Sequence, residues 1–364
     1  MHSLNLFSLA HAFIAAPLII PRGAHESERK CIAVMKANVA SKAIPSRVAR
    51  VPSDAEYTYY NLFNSFSASL TKPELKDLLN DPNVDFIEKV STMHAKNAPW
   101  GLARISNKLP GKDHTTYTYD ESAGEGTCTY VLDTGIEVDH PNFVDNADLD
   151  ANGHGTHIAG TFGSKTYGVA KKTQLFAVKV LNEYTAGQSS GILAGMDFIV
   201  EDAATRKCPK GIVVNMSFSV APSPAINAAA RYIVKSGYFL AVAAGNDDTD
   251  ASQVSPSNEP MACTVGATAE NDTRASFSNY GVLVDIFAPG IVIKSTWIRG
   301  GVKLESGTSM ATPHVTGLAA YLLGLKNIKA SELCNLIATM SLEDVIKGIP
   351  ENTVNLLIQN SEAK

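Results

Sequence analysis

From residue 129 onward the chain alternates short apolar runs with longer segments of helical period, and few folds accommodate that alternation. Runs at 129–133, 175–180, 211–218, 238–245, 263–267 and 284–288 read as strands. Segments at 154–162, 190–203, 223–236 and 309–324 read as helices. The second carries Ile192, Leu193, Met196 and Ile199 on one face, and the third Ile226, Tyr232 and Ile233. The alternation predicts an α/β fold with a mostly parallel sheet, covered by helices on both faces. With 364 residues, 45% of them hydrophobic and 18% charged, the chain can bury a large core and has room for two domains. A formal charge of −5 argues against a nucleic-acid surface. No apolar run reaches the roughly 18 residues expected of a membrane span.

The N-terminal third reads differently. Met1 to Ala16 is apolar and followed by Pro17, the pattern of a secretory signal with cleavage points after Ala12 or Ala16, and predicts a secreted, extracellular protein. Beyond it, Lys30–Met35 and Val84–Val90 read as strands, and Tyr57–Leu70 as strand material around a turn. Thr71-Lys72-Pro73-Glu74 reads as a capping box opening a helix with Leu75, Leu78 and Leu79. This α+β unit of under about 80 residues is marginal as an independent domain. The chain divides near residue 96. Five cysteines in a secreted chain suggest disulfides with one thiol left over, in a pairing that the sequence alone leaves open.

Four segments carry chemistry. Ser309, in Gly307-Thr308-Ser309-Met310-Ala311-Thr312-Pro313-His314, precedes an apolar helical run; Pro313 is expected in that helix's first turn, where its missing N–H costs nothing. A serine there is either an N-cap or a nucleophile beside free N–H groups and the positive end of the dipole. Asp133 ends the apolar run 129–133, where sites of open α/β sheets gather. His154 lies in Asn152-Gly153-His154-Gly155-Thr156-His157 at an expected helix start. The order acid, histidine, serine is one of three convergent triad orders. An aspartic protease would need a second Asp-Thr-Gly or a homodimer, and no second motif occurs; a zinc-protease helix would space its histidines at i and i+4 around a glutamate, which this segment does not. Asn246, after Val242-Ala243-Ala244-Gly245, offers a side-chain amide to an oxyanion, and the small residues Ala244 and Gly245 admit a substrate backbone.

Together these residues resemble the subtilases, closest to their proteinase K branch, over about Asn97 to Leu357. Ala98-Pro99-Trp100-Gly101-Leu102-Ala103-Arg104-Ile105, Asp120-Glu121-Ser122-Ala123-Gly124 and Tyr167-Gly168-Val169-Ala170-Lys171-Lys172 carry that branch's wording. The resemblance implies a subtilisin-like three-layer sandwich at 96–364. It implies a small ferredoxin-like propeptide at 17–95 that inhibits its own enzyme within the chain, and a signal at 1–16. The activity implied is that of a serine endopeptidase made as a zymogen and acting, as a monomer, on protein or peptide substrates. Ser309 would attack the scissile carbonyl, His154 would move the proton, Asp133 would stabilise the imidazolium, and Asn246 would bind the oxyanion; His157 would be structural. Substrate would lie on Ser217, Phe218, Ser219, Ala244 and Gly245. Cys128 would pair with Cys208 and Cys263 with Cys334, leaving Cys31. A structural Ca2+ would sit on the carbonyls of Pro260 and Ala262 and the carboxylate of Asp285, an oxygen set that suits a hard cation.

The sequence also departs from the family. Its substrate strand reads Ser217-Phe218-Ser219-Val220-Ala221 where the family has Ser-Leu followed by glycines, which predicts narrower or slower cleavage. The stretch between Phe143 and Gly153 and the junction at 90–97 are shorter than the family's, and Lys108 stands in the region that helps form its second calcium site. These departures favour the rival reading, a pseudoprotease that keeps the fold as a binding module; the complete triad opposes it. Of two sequons, Asn215-Met216-Ser217 falls in an expected core strand and Asn271-Asp272-Thr273 on the surface.

Overall fold

The computed structural model describes residues 15–19, 29–36, 55–59, 65–89, 93–96, 98–110, 115–143 and 150–360. The expected signal falls almost wholly outside them, as does most of the short loop before Gly153. The chain forms two compact units, Met1–Thr92 and Met93–Lys364.

In the first unit, β1 (Leu18–Ile19), β2 (Lys30–Met35), β3 (Ala55–Tyr59), β4 (Ser65–Ser69) and β5 (Val84–Lys89) form one sheet, ordered β1-β5-β2-β4-β3. All neighbours are antiparallel except β1 and β5. Helix α1 (Lys72–Leu79) opens with both bonds of the capping box: the Thr71 N–H donates to Glu74 Oε2 at 2.6 Å, and the Glu74 N–H to Thr71 Oγ1 at 3.5 Å. The core here is small. Ala33, Met35, Phe66, Leu78, Val84 and Ile87 bury it, together with Cys31, a free thiol whose pKa burial pushes up.

The second unit starts at β6 (Met93–Lys96), which pairs antiparallel with β7 (Thr116–Tyr119) around the short helix α2 (Trp100–Ile105). The strand expected to be cut at residue 95 is thus one half of a hairpin-like pair inside this unit. The main sheet contains β8 (Thr127–Asp133), β9 (Gln174–Lys179), β10 (Gly211–Met216), β11 (Phe239–Ala243), β12 (Cys263–Thr268) and β13 (Ile286–Pro289). Two short strands, β16 (Leu342–Glu343) and β17 (Leu356–Leu357), complete it. The order is β16-β17-β13-β12-β11-β10-β8-β9, parallel throughout except between β16 and β17.

Alternation along the strands divides the core between two faces. On β10, Val213 packs with Leu318, Ala319 and Leu322 of α6 (Thr308–Leu325). Its neighbours Ile212, Val214 and Met216 pack with Ile192, Met196 and Ile199 of α4 (Ser189–Ala203) and with Ile226 and Ile233 of α5 (Pro224–Lys235). Each such side chain stabilises the fold by about 1.5–3 kcal/mol when fully buried. Helix α3 (His154–Gly163) lies against α6, close enough that a Cβ on Gly317 would stand 3.1 Å from Phe162 Cα. Behind α3 runs a two-stranded hairpin, β14 (Ile293–Trp297) and β15 (Gly301–Glu305), and α7 (Leu333–Met340) follows α6. Disulfides join Cys128 to Cys208 and Cys263 to Cys334, with Cα atoms 5.6 and 5.8 Å apart.

One expectation needs correction. Helix α6 begins at Thr308, so Pro313 lies inside it, beyond the first turn. A proline there leaves the carbonyl four residues back without its helical donor, and that carbonyl belongs to Ser309. The fold supplies a replacement: the Ser217 hydroxyl donates to Ser309 O at 2.9 Å.

Candidate active site

The carboxyl ends of β8, β10 and β11 and the first turns of α3 and α6 converge on one place, built on buried backbone. Every residue of β8 is buried, Asp133 included. Asp133 Oδ1 accepts the Thr134 N–H at 2.8 Å and binds His154 Nδ1, also at 2.8 Å. A carboxylate only accepts, so Nδ1 carries the hydrogen and Nε2 keeps its lone pair. Burial opposes protonation of His154, but the charge and hydrogen bond of Asp133, helped by Asp150 and Glu305, hold its pKa above the usual imidazole value. Asp133 Oδ2 is buried without a partner among the described residues.

His154 opens α3 because the preceding loop is tightly fastened. Gly153, at φ 110, takes a conformation that favours glycine, and a Cβ there would collide with the Trp297 ring. The buried carboxylate of Asp150 accepts five hydrogen bonds. Oδ1 takes the Thr134 hydroxyl at 2.8 Å and the N–H groups of Asn152 and Gly153 at 2.9 Å each. Oδ2 takes the Thr156 N–H at 2.9 Å and its hydroxyl at 2.7 Å. Thr134 accepts the Gly155 N–H at 3.0 Å, tying the end of β8 to the start of α3. Burial would raise the Asp150 pKa, but these bonds outweigh it and lower it.

Ser309 is the second residue of α6, where the N–H has no acceptor within the helix. Its hydroxyl donates to the Ser217 carbonyl at 2.8 Å, while the Ser217 hydroxyl returns the bond to Ser309 O. Beneath them Asn215 Nδ2 donates to Ser217 Oγ at 2.9 Å, and Thr316 Oγ1 to Asn215 Oδ1 at 2.8 Å. The first sequon is therefore a buried joint in this chain; Asn271 is exposed. Asn246 Oδ1 accepts the N–H and hydroxyl of Thr308, at 2.8 and 2.9 Å, which turns Nδ2 away from Thr308 and leaves it as the donor.

Along the rim, Val220 exchanges both backbone bonds with Ser255, at 2.8 and 2.9 Å. Among the described residues the exposed Ser219 makes no backbone hydrogen bond, so one residue of this edge is open to an extended peptide. Phe218 is half-buried beside it. Contrary to the expectation that they touch substrate, Ala244 and Gly245 are buried and their backbone groups are engaged, with Val265, Asn279 and Thr308, so they support the site from beneath. His157 is fully buried; its Nε2–H donates to Ile293 O at 3.0 Å. Away from this place, Asp285 stands next to the Cys263–Cys334 disulfide. Its Oδ2 accepts the Thr264 N–H at 2.7 Å, its other oxygen makes no hydrogen bond among the described residues, and burial pushes its pKa up to about 6.

Sequence reasoning missed Asp150, Thr308 and Asn215. Only the first left a local signal, an aspartate shortly before an Asn-Gly turn.

The chain is similar to known proteins over most of its length. The Subtilase family model matches residues 124–355, and the Peptidase inhibitor I9 model residues 24–96. A "Cuticle-degrading protease" of Metarhizium anisopliae is 47% identical, covering 99% of this chain and 100% of that protein. "Proteinase T" of Parengyodontium album is 55% identical over 76% of this chain and 99% of its own length. Among solved structures, a cold adapted subtilisin-like serine proteinase superposes with a TM-score of 0.68 at 38% identity. It covers 72% of this chain and 98% of that one.

Proposed function

The chain belongs to the subtilase family of serine proteases, with an I9 inhibitor unit ahead of the protease, and we propose that Ser309, His154 and Asp133 are its catalytic triad. The observation that carries this reading is the 2.8 Å bond between His154 Nδ1 and the buried Asp133, which leaves Nε2 as a base beside the head of α6. When substrate binds, the Ser309 hydroxyl turns from Ser217 O to Nε2 and attacks the scissile carbonyl. Catalytic hydrogen bonds often form only in the complex. His154 takes the proton and hands it to the leaving amine, while Asp133 stabilises the imidazolium; water then hydrolyses the acyl-enzyme along the reverse path. The Ser309 N–H and Asn246 Nδ2 receive the oxyanion. Each such donor is worth about 10²–10³ in rate. The acyl half of the peptide lies along Ser217–Ser219, within reach of Phe218 and over the buried floor at Ala244 and Gly245.

As an endopeptidase made as a zymogen, the protein would be secreted and freed of its I9 unit. We place the end of that propeptide ahead of β6, since a cut at residue 95 would divide a paired strand. A structural Ca2+ fits Asp285, whose half-buried carboxylate keeps one oxygen without a hydrogen bond among the described residues. The Pro260 and Ala262 carbonyls would complete a hard oxygen set that brings local rigidity and no chemistry.

A fluorophosphonate probe tests the triad. The propeptide-free protein should be labelled and its Ser309→Ala variant should not. A folded wild-type protein that resists labelling would favour the binding module.

A further inference from the structure

The hairpin β14–β15 forms a fixed wall beside His154. Glu137, in the loop after Asp133, accepts the N–H groups of Arg299 and Gly300 at the hairpin turn, at 2.6 and 2.9 Å. His140, three residues on, holds Gly301 O through Nε2 at 2.9 Å. On β14, the hydroxyls of Ser295 and Thr296 donate to the carbonyls of His157 and Thr156, both at 2.8 Å. The Trp297 ring packs on Gly153, the residue before His154, and meets His157 edge-on with centroids 6.3 Å apart.

Side chains alternate along β15, so Lys303 and Glu305 share a face and Val302 and Leu304 take the other. The Lys303 ammonium sits over the Trp297 ring, 3.9 Å from its centroid, and pairs with the Glu305 carboxylate. Glu305 ends β15, two residues before Gly307 and four before Ser309. Its charge is felt at His154, where it favours the protonated ring. Because the hairpin is fastened to α3 through Ser295, Thr296 and Trp297, this carboxylate stands on the imidazole's side of Ser309, whereas the acyl half of a substrate would lie on Ser217–Ser219. The amine that His154 protonates departs on the imidazole's side.

We propose that Glu305 selects a basic residue in the leaving half of the substrate, so that Lys or Arg at P1′ or P2′ is cleaved in preference to Asp or Glu. This rests on the triad reading above. Lys303 is the present partner of Glu305, but the two side chains are 48% and 29% exposed. Exposed pairs of this kind contribute at most about 1 kcal/mol, so an incoming cation can exchange with Lys303 at little cost. An incoming carboxylate can pair only with Lys303, which is held over the Trp297 ring two residues further from Ser309, and meets the charge of Glu305 first.

Quenched fluorescent peptides, identical through P1 and carrying Arg, Gln or Glu at both P1′ and P2′, test this on the propeptide-free protein. The kcat/KM for Arg over Glu should be roughly five- to tenfold at low salt and shrink in 0.5 M NaCl, since the charges are exposed. In Glu305→Gln the Arg-to-Glu ratio should collapse to within about twofold. A wild-type ratio near one, or a ratio that Glu305→Gln leaves unchanged, overturns the proposal. Because each ratio is taken within one preparation, the active fraction cancels. Failure to cleave any of the three peptides would instead count against the triad reading.

Discussion

Two histidines three residues apart on α3 show how differently the front and the back of one helix treat the same side chain. At the front, His154 is 20% exposed and faces Asp133, with Asp150 and Glu305 within electrostatic reach; its pKa is held above the usual value. At the back, His157 is fully buried between α3 and β14, where burial lowers its pKa to about 4. His314 on α6 shares that setting: burial takes it to about 4 as well, and its Nδ1–H donates to Met310 O at 2.9 Å. Carboxylates at the front stabilise a positive ring, and the dry back tolerates only a neutral one. The same residue type becomes a proton carrier at the open end of the helix and a packing element one turn further in.

Replacing each histidine should separate the two roles. His154→Ala is expected to reduce kcat on a peptide substrate by roughly 10⁴- to 10⁶-fold, with little change in Tm, because the proton path is removed and little packing is lost. His157→Ala should do the reverse. It leaves a cavity and an unpaired Ile293 carbonyl, at a cost of roughly 2–4 kcal/mol in stability, while the rate per folded molecule stays within a few-fold. A His157→Ala protein with native Tm and lost activity would erase the distinction between front and back.

Acid should attack the two positions in different windows. His157 and His314 accept protons in the unfolded chain below about pH 6.5 and in the folded chain only near 4. Between those values the unfolded state binds more protons, so stability falls as pH falls. Each group accounts for about 3 kcal/mol across that window, and above about pH 6.5 its contribution is complete. His154 runs the other way. Its raised pKa adds stability below about pH 6.5 that is lost as pH rises through the folded value, while catalysis requires the neutral ring. Activity should therefore fall on the acid side at a pH above 6.5, before the fold weakens between about 6.5 and 4. Thermal unfolding of the inactive Ser309→Ala protein against pH, set beside the kcat/KM profile of the wild type, checks the order. Coincident midpoints would contradict it.

The front of α3 was legible in the sequence and the back was not. Asp133, His154 and Ser309 sit at ends of elements that local patterns mark: an apolar strand, a Gly-rich helix start, a helix head. Their neighbours are small residues whose spacing is itself a signal. The strands and helices of the parallel sheet follow for the same reason, because period and length are local. Hidden were features that exist only through partners distant in sequence. The Ile293–Glu305 hairpin alternates polar and apolar residues so weakly that nothing marked it as strand until Glu137 and His140 held its turn. Pro313 read as a first-turn residue because its cost is offset by a hydroxyl from Ser217, nearly a hundred positions upstream. Only the resemblance set His157 apart from His154; its physical reason, enclosure by Trp297 and Ile293, lies far away in sequence.

Asp150 is where front and back meet, and its substitution should give the smallest and most selective effect. Its carboxylate fastens the loop through Thr134, Asn152, Gly153 and Thr156, and its charge helps hold His154 protonated. Asp150→Asn keeps a similar shape and one good acceptor but removes the charge and turns a donor toward the Thr156 N–H. The loss of charge should move the acid limb of kcat/KM to lower pH by a few tenths of a unit, in the direction opposite to simple loss of function. The mismatched bond should cost about 1–3 kcal/mol in stability. Asp150→Ala removes charge and acceptors alike, and should share the shift with a larger loss of Tm. If Asp150→Asn lowers Tm yet leaves the acid limb in place, Asp150 acts on the loop alone, and the raised pKa of His154 belongs to Asp133 and Glu305.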